Sequence, residues 1–391
     1  MDKVRFGVVG VGNMGTNHAI WLSDGTVKNG TLTAVCDINP AKIERIKGLI
    51  KNPDKVSYFT NIDDMIASGT VDAVIVAVPH FLHPDFIIKS LKAGLHALSE
   101  KPAGVYTKQV KEMNEVASKS DKLFALMFNQ RTNPLFKKMK EMISEGAIGE
   151  IKRTNWIITD WYRTQAYYDS GAWRATWAGE GGGVLFNQAP HNIDLFQWIT
   201  GMMPVKTRAF CHFGKWHDIE VEDDATAYFE YANGATGVFI TTTGDCPGSN
   251  RFEVTGDKGK LVFDNGRLFY HKLSQSIPEF SATCTSGFAQ PECEVTEITV
   301  QEPAVVQHRA VLNNFANAIL GIEPLFIDGK EGVNGVEIAN SMLLSAWLDK
   351  EVAIPVDDEL YLSELKKRMA TSRHKTTEEV VFDTTGSYGT K

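Results

Sequence analysis

The sequence predicts a two-domain α/β protein. A parallel α/β domain over residues 1–128 is followed by an α+β domain over 129–391 with a large, open, mostly antiparallel sheet. Three observations lead there. Strand and helix patterns alternate through the first 130 residues, as βαβ units with right-handed crossovers require. From Ala225 the chain becomes strand after strand, joined by hairpin signals such as Ala232-Asn233-Gly234. A glycine-rich turn, Gly10-Val11-Gly12-Asn13-Met14-Gly15, sits between the first strand and the first helix.

Each element follows from its local pattern. Val4–Val9 is short and apolar, a buried strand, and Asn13–Ser23 is the helix after the glycines. Leu32–Cys36 is a second strand, and Pro40–Leu49 a helix with proline in its first turn. Val71–Val78 is apolar almost throughout, as a strand covered on both faces requires. Pro84–Lys92 reads as a helix that stops at Gly94. Leu95–Ser99 and Leu123–Phe128 are further strands, and between them Thr107 caps a helix running to about Ser118. A helix over Pro134–Ser144 leads through Gly146 and Gly149 into a long strand, Glu150–Asp160. Ala225–Tyr231 and Ala235–Thr243 form one hairpin, and Arg251–Thr255 and Lys260–Asp264 another. Gln275–Pro291 reads as a long loop, Gly332–Asp349 as the final helix, and the last twenty residues as a frayed tail or an arm reaching a neighbouring subunit.

Forty Lys+Arg stand against forty-eight Asp+Glu, a formal net charge of −8, so the basic footprint of a nucleic-acid binder is missing. No run of about eighteen apolar residues predicts a membrane span. The start, MDKVRFGVVGVG, lacks the pattern of a secretory signal. Five scattered cysteines without a CxxC pair point to reduced thiols in a cytoplasmic protein rather than a disulfide framework or zinc site.

The glycine turn fits a nucleotide site. Gly10 permits the tight turn, Gly12 lets the backbone approach a pyrophosphate, and Gly15 allows close helix–strand packing. Asn13 and Met14 start the helix whose N-terminus faces the phosphates. The second strand ends in Asp37, about twenty residues beyond the glycines, where a carboxylate accepts both ribose hydroxyls. Its charge repels a 2′-phosphate, and neither Ile38 nor Asn39 offsets that, so NAD is expected rather than NADP. Ser99-Glu100-Lys101-Pro102 follows a later strand of the same sheet, whose carboxyl ends border the ligand crevice. Lys101 there can bond a substrate hydroxyl and share its proton. The plainer alternative is a surface lysine in a turn.

The order GVGNMG, CD, VPHFLHP, AGLHALSEKP and EGGGVLFNQAPHNID closely resembles the Gfo/Idh/MocA oxidoreductases, from residue 4 to about 356. The resemblance implies a Rossmann domain, an oligomer-forming second domain, and hydride transfer between NAD(P) and a sugar or polyol carbon. It carries to Lys101 a role touching both cofactor and substrate, and it places Pro79, His80, Glu100 and Asn129 among the cofactor contacts. His80 departs from the family's usual asparagine. His80 and His83 also have the spacing of a metal pair, but no third ligand is in register and no metal is expected.

Asn187, His191 and Asp194 have spacings that put them on one face of a helix. A neutral histidine can take a proton from an alcohol while hydride leaves the same carbon. His191 is therefore the expected base, the alternative being a histidine satisfied inside a core. Many members of the family carry Asp where this chain has Asn187. An amide cannot be the base, so Asn187, with Asp194, is expected to bind substrate. The aromatic segment before the glycines supplies Arg163, Tyr168, Trp173 and Arg174 as sugar-binding candidates, and Arg131 is placed at the border of the cleft.

The reading is an NAD-dependent sugar, anhydrosugar or polyol dehydrogenase, forming a homo-dimer or homo-tetramer through the second sheet. One rival is an NAD-dependent glycosidase of the same architecture, with a tyrosine such as Tyr168 as an extra base. The other is a non-catalytic nucleotide-binding regulator.

Overall fold

A computed structural model describes residues 2–301, 303, 307–376 and 380. The first sheet holds β1 (Val4–Val9), β2 (Gly30–Cys36), β3 (Ser57–Phe59), β4 (Ala73–Val76), β5 (His96–Ser99) and β6 (Phe124–Leu126). All neighbours are parallel, in the order β3-β2-β1-β4-β5-β6. The intervening helices are α1 (Asn13–Ser23), α2 (Pro40–Lys47), α3 (Ile62–Ala67), α4 (His83–Lys92) and α5 (Thr107–Lys119). The central strand β4 is fully buried, which is why Ala73–Val76 is all apolar. The chain changes direction between β1 and β4, and a crevice opens at the carboxyl ends of such neighbours.

The second sheet has nine strands: β7 (Ile151–Ile158), β8 (Pro204–Phe213), β9 (Glu222–Tyr231), β10 (Thr236–Thr242), β11 (Asn250–Gly256), β12 (Gly259–Asp264), β13 (Arg267–Leu273), β14 (Cys293–Ile298) and β15 (Val352–Ala353). Its order is β14-β13-β12-β11-β7-β10-β9-β8-β15, antiparallel except for the parallel pair β7–β10. Helices α6 (Pro134–Ser144), α7 (Gln165–Asp169) and α8 (Pro190–Thr200) precede most of these strands. On the inner face the Trp156 and Phe252 rings stack at 4.3 Å, and Phe196 of α8 packs on Phe229, Phe239 and Phe252. That aromatic layer holds the start of α8, and with it His191, in place.

Three expectations change. Thr107 does not cap its helix: α5 starts at Thr107 itself, whose hydroxyl donates to Asp358 at 2.6 Å. Gln275–Pro291 is not loop throughout: it contains α9 (Ile277–Thr283), started by a capping box between Ser276 and Glu279. Gly332–Asp349 is not the final helix. It corresponds to α11 (Gly332–Leu348), after α10 (Gln307–Ile319), and α12 (Asp358–Met369) follows, with Asp357 accepting from the Glu359 and Leu360 N–H groups. The caps of α9 and α12, Ser276 and Asp357, are polar residues that also suit loops, so composition hid these two helices. Helix α10 packs on the first sheet, Phe315 against Phe6 at 6.1 Å. Residues 377–379 and 381–391 of the expected tail or arm lie outside the described residues. Of the described residues there, Lys375 Nζ donates to the Tyr168 carbonyl, and the Val380 N–H to that of Ser170.

Candidate active site

A cleft of about 930 Å³ runs from the glycine turn to the aromatic segment. At its first end Gly10 has φ +84°, and a Cβ there would sit 2.4 Å from the Ala77 carbonyl oxygen. A Cβ on Gly15 would sit 1.7 Å from the Gly10 carbonyl oxygen. Only glycine fits either place. The Asp37 carboxylate lines the cleft at the end of β2, accepting the Val11 N–H (2.8 Å) and the Asn39 N–H (2.9 Å). Each oxygen keeps a second lone pair for a ligand hydroxyl. Gly12, Asn13, Met14, Pro79 and His80 line the same cleft. The side-chain-free turn thus lets a ligand approach its backbone, with an acceptor for a diol beside it.

Past the end of β5, Glu100 forms a buried ion pair with His18 of α1 at 2.7 Å. That bond holds its carboxyl down, at about 2, against the effect of burial. Its second oxygen accepts the Lys101 N–H at 3.2 Å. Lys101 Nζ donates to the backbone carbonyl of Asn187 at 2.7 Å. Burial pulls the Lys101 ammonium down to about 8, with Glu100 and Glu180 opposing the fall. His191, two residues into α8, faces the cleft with its ring edge-on to Phe128 at 6.4 Å. Burial, helped by Lys101, holds it well below the usual histidine range, so it is neutral at pH 7. Its Nδ1 is buried without a partner.

Asn187 does not share a helix face with His191 and Asp194. Helix α8 begins at Pro190, and Asn187 lies in the preceding turn, its N–H bonded to the Gly183 carbonyl. It still lines the cleft; its Nδ2 donates to Glu180 and its Oδ1 accepts from the Tyr167 hydroxyl at 3.1 Å. Asp194 points elsewhere. It is 1% exposed and grips Arg131, expected at the cleft border, through two bonds of 2.6 and 2.7 Å. Arg131 reaches on to Glu331. This pair is a buried tie between α8 and the entry to the second domain, away from the cleft.

Of the aromatic segment, Arg163, Trp173 and Arg174 line the cleft. Tyr168 does not: it is buried, its hydroxyl 2.6 Å from Thr243 Oγ1. Its neighbour Tyr167 faces the cleft instead, its hydroxyl accepting from Arg174 at 2.9 Å and from Gln188 at 3.1 Å. Two adjacent tyrosines on a short helix point about 100° apart, and sequence spacing does not say which one faces the core. Asn129 lines the cleft with its Nδ2 donating to Gln307 Oε1 at 2.5 Å. His308 of α10 also lines it and had no sequence signal, since it comes from a helix more than a hundred residues past the motifs. Both ring nitrogens of His83 face backbone carbonyls, of Pro102 and Val78, at 2.7 Å. Neither is directed with His80 at a common point.

Residues 4–128 match the family model for an oxidoreductase with an NAD-binding Rossmann fold, and residues 136–262 match the GFO/IDH/MocA C-terminal domain. The chain belongs to the GFO/IDH/MocA family. It is an NAD-binding oxidoreductase, and the glycine turn and the Asp37 acceptor suit that dinucleotide. An inositol 2-dehydrogenase of Rhizobium meliloti is 27% identical over 90% of this chain and 99% of its own length. A D-glucoside 3-dehydrogenase of Escherichia coli is 26% identical over 60% of this chain and 68% of its own. Among solved structures, the WlbA dehydrogenase of Bordetella pertussis with NADH and UDP-GlcNAcA has a TM-score of 0.76 at 26% identity, covering 91% of this chain and 100% of that one. A levoglucosan dehydrogenase with NADH and L-sorbose shares the fold, with a TM-score of 0.75 at 19% identity over 91% of this chain and 100% of that one. The relatives of this GFO/IDH/MocA protein thus include sugar and inositol dehydrogenases.

Proposed function

We propose that this protein is an NAD-dependent dehydrogenase that oxidises a secondary alcohol of a sugar, anhydrosugar or polyol, or runs the reverse reduction. The observation that carries the reading is the convergence of Lys101, Asn187 and His191 at one end of a cleft whose other end fits a dinucleotide. Bound NAD supplies the hydride acceptor. The residues supply the rest. Lys101, held on the Asn187 carbonyl, has further N–H groups to donate to the reacting oxygen and so favours loss of its proton. Neutral His191 accepts that proton. Arg163, Arg174, Tyr167 and Trp173 hold neighbouring hydroxyls and the C–H face of the ring.

The glycosidase rival needs an extra base. The residue expected to serve, Tyr168, is buried on Thr243, and burial pushes its hydroxyl far above the ordinary tyrosine range. Nothing in the relatives favours that rival or the regulator over a dehydrogenase. Five free cysteines support a reducing compartment such as the cytoplasm. No helix among the described residues is long and apolar enough to cross a membrane. The second sheet turns Ile157, Phe210 and Tyr228 outward, and a homo-dimer or homo-tetramer would cover them.

The test is an NAD-coupled absorbance screen across monosaccharides, anhydrosugars, inositols and glycosides. Steady accumulation of NADH with one class is expected. Cleavage of a glycoside without net NADH would overturn the reading.

A further inference from the structure

Glu180 lies under the cleft floor, 2% exposed, and is not one of the residues that line the cleft. Its carboxylate nevertheless joins parts of the chain that carry the site. One oxygen accepts the Asn187 carboxamide. The other accepts the N–H of Ala175 at 2.6 Å. Ala175 follows Arg174 directly and sits at φ +55°, a left-handed conformation that alanine adopts at a cost. The same acid is thus tied to the cleft arginine on one side and to Asn187, the seat of Lys101, on the other.

We infer that Glu180 is a positioning residue for the substrate end: it fixes Asn187 so that its carbonyl receives Lys101, and it sets a carboxylate behind that contact. This rests on the reading of Lys101 as the lysine that touches substrate. Glu100 on its own strand end and Glu180 favour the ammonium, while Arg174 and Arg163 oppose it. His80, His83, His191 and His308 are all depressed by burial and add no charge at pH 7. Glu100 is already committed to His18. Glu180, whose own carboxyl burial raises, is the second acid, after Glu100, that offsets the two arginines. An Asn187 carboxamide carries no charge of its own, so the negative charge sits one residue deeper than a carboxylate at position 187 would put it.

The test is a charge swap. Glu180→Gln should raise KM for the sugar about tenfold and move the alkaline limb of kcat/KM about one unit toward lower pH. NADH affinity, measured by fluorescence, should be unchanged. The double variant Glu180→Gln with Asn187→Asp reverses donor and acceptor across the same bond and returns the charge, so it should restore the limb. A limb that stays put in Glu180→Gln, or a double variant no better than the single, would overturn the inference. A second readout needs no substrate: a 13C-methyl NMR titration of dimethylated Lys101 should fall with Glu180→Gln. If no sugar is oxidised but this titration shifts, the dehydrogenase reading fails and the positioning role stands.

Discussion

Lys101 Nζ donates to the backbone carbonyl of Asn187 at 2.7 Å, which ties the end of the parallel sheet to the turn that opens the His191 helix. The bond leaves the lysine two N–H groups for ligands and fixes where they point. Lys101→Ala should cut kcat by about 10²–10⁴-fold, and His191→Ala by a similar factor, with NADH binding kept. Stopped-flow and fluorescence titration separate the two effects. A His191→Ala variant with near-native kcat would remove the proposed base.

The pH profile distinguishes the roles of lysine and histidine. Lys101 is pulled down to about 8, so a lysine that must donate loses activity as pH rises through about 8. His191 stays neutral well below its ordinary value, so it imposes no limb near neutrality. The expected profile for oxidation is flat around pH 7 and falls above about 8. Lys101→Arg keeps a donor charged to above pH 12 and should abolish the fall, though at lower rate. A rate that instead rises through pH 8 would make Lys101 the base.

Asp194 and Arg131 are both almost fully buried and hold each other through two bonds. Removing one partner strands the other charge, which typically costs about 3–5 kcal/mol. Asp194→Ala should therefore lower the denaturation midpoint strongly. The folded fraction should keep its KM, because the carboxylate is not in the cleft. A raised KM at normal stability would return Asp194 to the substrate site.

The charge of Asp37 is expected to decide between the two dinucleotides. Ile38 beside it is 87% exposed, so a longer side chain has room there. Asp37→Ser with Ile38→Arg should raise kcat/KM for NADP relative to NAD, by removing a repulsion and adding a phosphate partner. Steady-state kinetics with both cofactors measures the ratio. Wild-type preference for NADP would contradict the argument.

Glu222 sits behind the triple-glycine turn, its Oε1 accepting the N–H of Gly183 (2.7 Å) and of Leu185 (3.1 Å). Burial raises its carboxyl to about 8, while in the unfolded chain it ionises near 4.5. The folded state therefore holds the proton over that interval and the unfolded state releases it. The stabilising contribution is present below about 4.5 and is lost as pH rises toward 8, by roughly 1.4 kcal/mol per unit. Glu222→Gln keeps the acceptor and removes the titration, so its melting temperature should depend less on pH between 5 and 8.

The outward row of Ile157, Phe210 and Tyr228 gives the last expectation. Light scattering at micromolar concentration should report a dimer or tetramer, and Tyr228→Glu should weaken it. A wild-type monomer would refute assembly through this face.

The sequence by itself determined the parallel sheet, the glycine turn, and the place of Asp37, Lys101 and His191 in the cleft. Each is local: apolar runs, turn residues and a motif of about five residues carry the information. Asn187 was legible as a residue of the cleft but not as a turn residue, because i, i+4 spacing is meaningful only if the helix has begun, and Pro190 starts it later. Only the tertiary structure decided the rest. Which of Tyr167 and Tyr168 meets the cleft depends on where Thr243 lies, 75 residues further on. That Asp194 holds Arg131, that Glu100 holds His18, and that α10 brings His308 to the cleft are contacts between distant segments. A buried charge must find a partner wherever the fold puts one, and no spacing along the chain records which partner that is.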